Sequence, residues 1–441
     1  MKERVDSSPC PEFSKRGENL IVDLLAIGNE VLYGEISDSN TPHLARRLFE
    51  EGYKVGRHVC VGDDIDAIAG AILNSLESGS SVVCTGGLGP TPDDLTREAL
   101  AKVAGVPLVR SAELEERVSN IFRARGIPMP EANLKQADLP KGARYIPQKL
   151  GTAPGVILDW DGLGIYALPG VPHEMREMFE RGVLPDLESR RSGKIATAVK
   201  TFKVWGASEA AVAEILESIE GVSSHYDSLA PVSISYLPTL SELKVRIVAR
   251  GADTTEAKRL LEPVAREVAH RLGELVFGED SDTLPAVLGA ILVDKGLSLA
   301  AAESITGGMV GQRITTVPGA SKWFKGSAVT YMKETKTSVL GIDPSVLEVN
   351  GVVSARCAEE MAIAACRLFS SDVGISCTGE AGPKADEAEV GQVYLGVALK
   401  GQVRSIGIRL HGDRERIREY TTTSLLNLAR RTLSSSGMQS L

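Results

Sequence analysis

From residue 20 onward, short apolar runs alternate with longer amphipathic stretches, and glycines close many of the joints. "LIVDLLAIG" (20–28) reads as a buried strand, and "NTPHLARRLFEEG" (40–52) has helical spacing that stops at Gly52. The alternation continues through strand-like "YKVGRHVCVG", helical "DDIDAIAGAILNSLESG", strand-like "SSVVCTGG" and helical "DDLTREALAKVAG". Such a pattern specifies a parallel sheet with helices on its faces and ligands at the carboxyl ends of its strands. Between about 195 and 278 the pattern changes. There "AVKTFKVWG" and "SELKVRIVARG" read as strands of a small sheet, with "ASEAAVAEILESI" and "TTEAKRLLEPVAREVAHRLG" as its helices. After a linker, "GEDSDTLPA", the alternation resumes with a helix to 295, strand "LSLAAAES", a glycine turn and a helix from about 308. Strand "SAVTYM", helix "CAEEMAIAACRLF" and strands "DVGISCTGE" and "GQVYLGVAL" follow. The expected class is α/β: two doubly wound α/β domains, 20–192 and 281–435, joined by a small α+β domain, 193–280. A polar extension (1–19) and a flexible tail (436–441) flank them.

A chain of 441 residues is too long for one core. No apolar run reaches the roughly 18 residues of a membrane span, and "MKERVDSSPCPEFSKRGE" lacks the apolar core of a secretory signal. A formal net charge of −9 argues against direct nucleic-acid or anionic-membrane binding. Cysteines 10, 60, 84, 357, 366 and 377 form no CxxC pair and no metal-ligand spacing. Cys60, Cys84 and Cys377 lie in or beside apolar runs, where a reduced cysteine is a small hydrophobe. The expected compartment is the cytoplasm.

Two loops stand out. "VVCTGGLGP" (82–90) and "GISCTGEAGP" (374–383) both run from a strand through Thr-Gly to Gly-Pro, which suggests two separate sites. In the first, Gly86, Gly87 and Gly89 let backbone N–H groups approach an anion, and a helix N-terminus follows. Asp93 and Asp94 come next: either they hold a divalent cation bridging phosphate oxygens, or they cap the helix, and spacing does not choose.

Several motifs in order, "GNEVLYGEISDSN" (28–40), "VGDD" (61–64), "GGLGPTPDDLTREALA" (86–101), "NLKQA" (133–137), "GTAPG" (151–155) and "LPGVPHEM" (168–175), resemble the N-terminal domain of the CinA family. That domain is related to the molybdopterin-binding (MoaB/MogA-like) fold. The resemblance implies an ADP-ribose pyrophosphatase that uses a divalent metal, Mg²⁺ or a transition metal such as Co²⁺. It carries over onto Glu30, Asn40, Gly86, Gly87, Gly89, Thr91 and Gly170, with Glu174 on the same rim, and onto Asp93 and Asp94 as metal ligands. Asn40 is expected to contact ribose or adenine. A pterin ligand bound without hydrolysis is the alternative.

The second set lies in "AAESITGGMVGQRITTVPGASKWFKGSAVTYMKETK" (301–336). Glu303, Ser304, Thr306, Gly307 and Gly308 end a strand and open a helix; Ser321 follows a Pro-Gly turn; Tyr331 and Lys336 close the next strand. A serine needs a base to attack a carbonyl, and a desolvated lysine serves when it is neutral. On spacing alone the favoured reading is bland: Ser321 a helix cap, Lys336 a solvated helix residue. "AESITGG", "PGASKWFKG", "GVVSARCAEEMA", "TGEAGP" and "GDRERIRE" resemble the C-terminal CinA domain, which is similar to nicotinamide-nucleotide amidases. The resemblance implies conversion of nicotinamide mononucleotide to nicotinic acid mononucleotide and ammonia, with no cofactor. Ser321 is then the nucleophile, Lys336 its base and Tyr331 part of the proton path. Amides near Thr306 to Gly308 become oxyanion donors, Glu303 and Ser304 belong to the same oxyanion and substrate-binding set, and Thr378 and Arg414 orient the nucleotide.

The chain departs from that family's pattern. Met332 and Lys333 replace a Ser-Asn pair, Glu380 replaces a hydrophobic residue, and Ala388 and Glu389 replace a basic-proline pair. The expected protein is a cytoplasmic bifunctional hydrolase of pyridine-nucleotide recycling, a homodimer by family resemblance. The alternatives are a non-catalytic partner of recombination proteins, and a pterin-binding half joined to a silenced amidase.

Overall fold

The computed structural model describes residues 20–149, 151–191, 195–219, 222–223, 230–240, 242–384 and 388–434. The expected extension 1–19, the tail 436–441 and part of the acidic segment 384–390 lie outside the described residues. The chain divides into two compact units, residues 1–198 with 249–259 and residues 199–248 with 260–441. Among the described residues no helix is long and apolar enough to cross a membrane.

The first unit is built on β1 (Ile21–Ile27), β2 (Lys54–Val61), β3 (Ser81–Thr85), β4 (Leu108–Arg110), β5 (Asp138–Pro140), β6 (Arg144–Ile146), β7 (Gly155–Trp160) and β8 (Leu163–Leu168). The main sheet has the order β2-β1-β3-β8-β7-β6, and β4 pairs with β5 separately. The pairs β1–β2, β1–β3 and β3–β8 are parallel, whereas β7 runs antiparallel to β6 and β8. Along β8, Ile165 and Ala167 face one core and Tyr166 and Leu168 the other. That alternation makes both sides of the sheet apolar, so helices cover both, and each fully buried Leu or Ile contributes about 1.5–3 kcal/mol. β1 sits between β2 and β3, so the chain leaves it to one side and later returns on the other. Such a switch opens a crevice at the carboxyl ends of β1 and β3.

Most of the small sheet β10-β11-β9-β12 lies in the second unit; it is made of β9 (Ala196–Val204), β10 (Val232–Pro238), β11 (Leu243–Gly251) and β12 (Val276–Glu279). The larger sheet of this unit has the order β14-β13-β15-β16-β17, from β13 (Leu299–Glu303), β14 (Phe324–Val329), β15 (Val373–Gly379), β16 (Gln392–Leu399) and β17 (Gln402–Arg409). β13 is parallel to β14 and β15, and the remaining pairs are antiparallel. Leu299 and Ala301 pack into one core, Ala300 and Ala302 into the other. The helix Arg414–Ser434, to which the sequence reading assigned no element, supplies Ile417, Leu425 and Leu426 to the first of these. β13 again lies between two parallel neighbours, β14 and β15, a second switch point at which such sheets open a crevice.

Cys84 and Cys377 are fully buried, as small hydrophobes should be. Cys60 is not: it is exposed, because β2 is the edge strand of its sheet.

Candidate functional site

In the first unit a cavity of about 1010 Å³ opens at the switch point. Every residue expected there, Glu30, Asn40, Gly86, Gly87, Gly89, Thr91, Asp93, Asp94, Gly170 and Glu174, lines it. Asp63 and Arg125, which the sequence did not single out, line it too.

The glycine loop is held by its carbonyls. Gly86 O accepts from Thr96 Oγ1 (2.8 Å), Gly87 O from Thr96 N (3.2 Å), Leu88 O from Arg97 Nη1 (2.8 Å) and Gly89 O from Arg97 Nη2 (2.7 Å). A trans peptide sets its N–H opposite its C=O. The N–H groups of Gly87, Leu88 and Gly89 therefore point away from the helix Thr96–Ala104, and among the described residues none of them has a partner. Glycine is required at Gly86, where φ is +113° and a Cβ would stand 2.0 Å from Ile27 O.

Asn40 is fixed beside this loop. Its Nδ2 donates to Thr85 Oγ1 (2.9 Å) and to Gly170 O (2.7 Å), while its buried Oδ1 has no partner. Neither Asp93 nor Asp94 caps the helix, whose cap position is Leu95; that alternative is corrected. Asp94 Oδ2 instead accepts from Thr91 N (2.7 Å) and from the Thr91 hydroxyl, closing the turn. Asp63 accepts from Asn29 N (2.9 Å), and burial together with the negative charges of Glu30, Asp93 and Asp94 pushes its carboxyl up. Burial likewise raises the Glu174 carboxyl. Among the described residues no group of three or more His, Cys, Asp or Glu side chains is arranged to hold a metal ion. Two carboxylates with spare oxygens, facing a cavity that carries excess negative charge, still suit a hard cation completed by phosphate oxygens and water.

In the second unit the expected Ser321–Lys336 pair is not formed. Ser321 is exposed on a 3₁₀ turn before β14, whereas Lys336 lies beyond the other end of that strand. The six-residue strand between them spans roughly 20 Å. Lys336, 1% exposed, donates instead to Ser304 Oγ at 2.9 Å, Thr330 O at 2.8 Å and Tyr331 O at 3.4 Å. Parallel pairing of β13 with β14 brings the two strand ends together.

Other expectations for this site also change. Glu303 is not free for substrate: it is fully buried, and its oxygens accept from the Thr306 hydroxyl, the Ser327 hydroxyl and the N–H groups of Gly308, Val310 and Gly311. A strand carboxylate thus serves the first turn of the helix Met309–Thr315, complementing its dipole. The Gly308 amide is consumed there and Gly307 N donates to Ser304 O (3.1 Å), so neither is an oxyanion donor. Among the described residues the Ile305 N–H, directly after Ser304, has no partner. Thr378 donates its hydroxyl to Val352 O (2.6 Å) and is 1% exposed, which leaves it no donor for a nucleotide.

Arg414 links the segments that follow β14 and β15, donating to Gly382 O (2.8 Å) and to the Tyr331 hydroxyl. One helical turn on, Arg418 donates to Thr306 O (2.8 Å). The sequence reading named Arg414 but not Arg418, although their spacing puts both on one helix face. The acidic departures are internally engaged: Glu380 accepts from Gly382 N (3.2 Å) and Glu389 pairs with Arg409 (2.5 Å). Met332 is 60% exposed.

A relative from Frankia casuarinae, a CinA-like protein, is 42% identical over 421 residues, covering 93% of this chain and 96% of its own. The chain belongs to the CinA family. A putative competence-damage inducible protein from Halothermothrix orenii is 37% identical over 92% of this chain and 97% of its own. Family models match along the chain: a probable molybdopterin binding domain at 23–189, the damage-inducible protein CinA KH domain at 199–278, and the CinA C-terminal domain at 281–433. Among solved structures, CinA from Thermoplasma acidophilum is 33% identical and covers 38% of this chain and 98% of its own, with a TM-score of 0.36.

Proposed function

We propose that the C-terminal half is a serine–lysine amidohydrolase that converts nicotinamide mononucleotide to nicotinic acid mononucleotide and ammonia, with Ser304 as nucleophile. The observation that carries this is the 2.9 Å contact between Lys336 Nζ and Ser304 Oγ at the switch point of the sheet. Two backbone carbonyls, Thr330 O and Tyr331 O, take two N–H bonds of the lysine. The remaining direction faces Ser304 Oγ, and in the neutral amine that position is a lone pair able to take the serine proton. Ser304 Oγ attacks the carboxamide carbon as its proton passes to Lys336. The same proton goes to the departing nitrogen, which leaves as ammonia from the tetrahedral intermediate. Water then attacks the acyl-serine with Lys336 again as base, releasing the carboxylate and restoring the hydroxyl. The Ile305 N–H, unpartnered among the described residues, receives the oxyanion in this reading, a contribution of about 3 kcal/mol per donor. Arg414 binds the phosphate with its remaining donors, and the Tyr331 hydroxyl is tied to Arg414 rather than to Lys336. The purified chain should release ammonia and nicotinic acid mononucleotide from nicotinamide mononucleotide. Ser304→Ala should abolish this and Ser321→Ala should leave it intact; the reverse pattern would return the nucleophile to Ser321.

The unpartnered amides of Gly87, Leu88 and Gly89 support a second activity, ADP-ribose pyrophosphate cleavage in the N-terminal cavity. Asp93 and Asp94 would hold a divalent cation there, which when bound supplies charge neutralisation at the phosphates. The chain's own part is to bind the pyrophosphate on the amides and to offer Asn40 Oδ1 to a ribose hydroxyl or the adenine amine. AMP and ribose phosphate appearing from ADP-ribose, dependent on added metal, tests it.

A further inference from the structure

Arg97 is fully buried beneath the glycine loop. Among the described residues no carboxylate lies within ion-pair distance of its guanidinium, and its Nε has no hydrogen-bond partner. Asp94, Glu98 and Asp138 act on it only from farther away, and burial works against its charge. A buried cation without a close counterion is costly, and a chain that keeps one usually completes it with something. Two features of the loop indicate what. The guanidinium fork takes Leu88 O and Gly89 O together, and through peptide planarity the Leu88 carbonyl contact turns the Gly89 N–H toward the cavity. The far side of the loop from Arg97 is thus a row of unpartnered donors, a surface for an anion.

We propose that Arg97 is the positioning residue of the N-terminal anion site: it fixes the Leu88–Gly89 peptide so that the Gly89 N–H joins those of Gly87 and Leu88, which Thr96 orients, and its charge is completed by phosphate oxygens bound across the loop. This rests on reading the cavity as a pyrophosphate site and adds the residue that makes it one. It predicts that anion binding and stability are linked through Arg97, because the free protein holds an uncompensated charge that the ligand relieves. Lysine keeps the charge but cannot take both carbonyls in a fork; methionine keeps the length and loses both functions.

The test uses the full chain in Mg²⁺ buffer with inorganic pyrophosphate, following Tm and, by calorimetry, Kd. Wild type should gain Tm with pyrophosphate. Arg97→Met should lose about 10- to 100-fold in affinity, with Arg97→Lys between them. A strut with no role toward the ligand would lower the Tm of the free protein and leave the pyrophosphate-induced rise unchanged. Folded Arg97→Met binding pyrophosphate as wild type does, or wild type failing to bind it, overturns the proposal. If Arg97→Met does not fold, Arg97→Lys decides: wild-type affinity there removes the fork geometry from the account. ADP-ribose cleavage is measured alongside. Cleavage indifferent to Arg97 leaves the activity standing and removes this proposal; pyrophosphate binding through Arg97 without cleavage does the opposite.

Discussion

The two crevices are built on the same plan and equipped in opposite ways. Each lies where a central strand hands the chain to one side and then the other, and each has a Cys-Thr-Gly sequence at the end of the neighbouring strand. In both, the threonine hydroxyl donates to a carbonyl of an adjacent loop, Thr85 to Pro169 O (3.1 Å) and Thr378 to Val352 O (2.6 Å). Beyond that they diverge. The N-terminal loop has its carbonyls tied back and its amides unpartnered, with carboxylates around the rim. The C-terminal turn spends its amides on Glu303 and buries a serine–lysine contact. On the proposed reading, one crevice receives charge and the other moves a proton. The lesson is that the strand switch supplies a place, while the destination of the loop's amides decides the chemistry.

The largest effects should separate the two crevices completely. Ser304→Ala and Lys336→Met should each lower nicotinamide mononucleotide turnover by about 10³- to 10⁶-fold, as when one member of a nucleophile–base pair is lost. Neither should change ADP-ribose cleavage, read from the same preparation by chromatography. Chelation by EDTA should invert the pattern, removing ADP-ribose cleavage and sparing the amidase. Asp93→Ala should reproduce the effect of EDTA. If EDTA silenced both reactions, the two crevices would not divide the labour in this way.

Much of this plan was legible in the sequence. Alternating apolar runs and glycine joints located β1 to β3 and β13 to β16, and with them both switch points, but not β4 to β8, β10 or β17; every N-terminal residue named from motifs lines the cavity at the first switch point. What was not legible depends on register and on distant pairing. Ser321 and Lys336 lie fifteen residues apart in the chain and face opposite ends of β14 in space. Ser304 reaches Lys336 only because β13 and β14 run parallel. Arg97 reads in the sequence as one more polar residue of an amphipathic helix; its burial follows from where the loop carbonyls turn. Glu303 looks like a site carboxylate until its hydrogen-bond partners are traced.

Glu303 sharpens the contrast further. Replacing it with glutamine keeps the shape but turns an amide NH₂ toward N–H or hydroxyl donors, leaving buried groups unsatisfied. Hydrogen bonds to a charged group are worth about 1.5–3 kcal/mol each, so Glu303→Gln should destabilise the C-terminal half by about 3 kcal/mol or more. Calorimetry should show its transition falling while ADP-ribose cleavage at 25 °C persists. Arg414→Ala is a milder intervention. It should raise KM for nicotinamide mononucleotide by about 10-fold and affect kcat less, since in the proposed reaction the guanidinium holds the phosphate, which does not react. An equal fall in kcat with KM unchanged would move Arg414 from binding to the transition state.

The smallest effect tests whether the N-terminal crevice really holds unrelieved charge. Burial raises the Glu174 carboxyl above its ordinary value, so the folded state disfavours its ionised form. The sign follows from linkage. Below the unfolded-state value, near 4.3, the group is protonated in both states and costs nothing. As pH rises through the raised folded value, the unfolded chain ionises more readily than the folded one, and the wild type loses a little stability. Glu174→Gln carries no such penalty. Its Tm relative to wild type should increase from acid toward neutral pH and then level off, by less than any change above. Added divalent cation should narrow that difference, because a nearby positive charge favours the wild-type carboxylate and does nothing for glutamine. A Tm difference flat with pH would mean the rim carboxylates are already compensated, and the crevice would then resemble its C-terminal counterpart in having no charge left to receive.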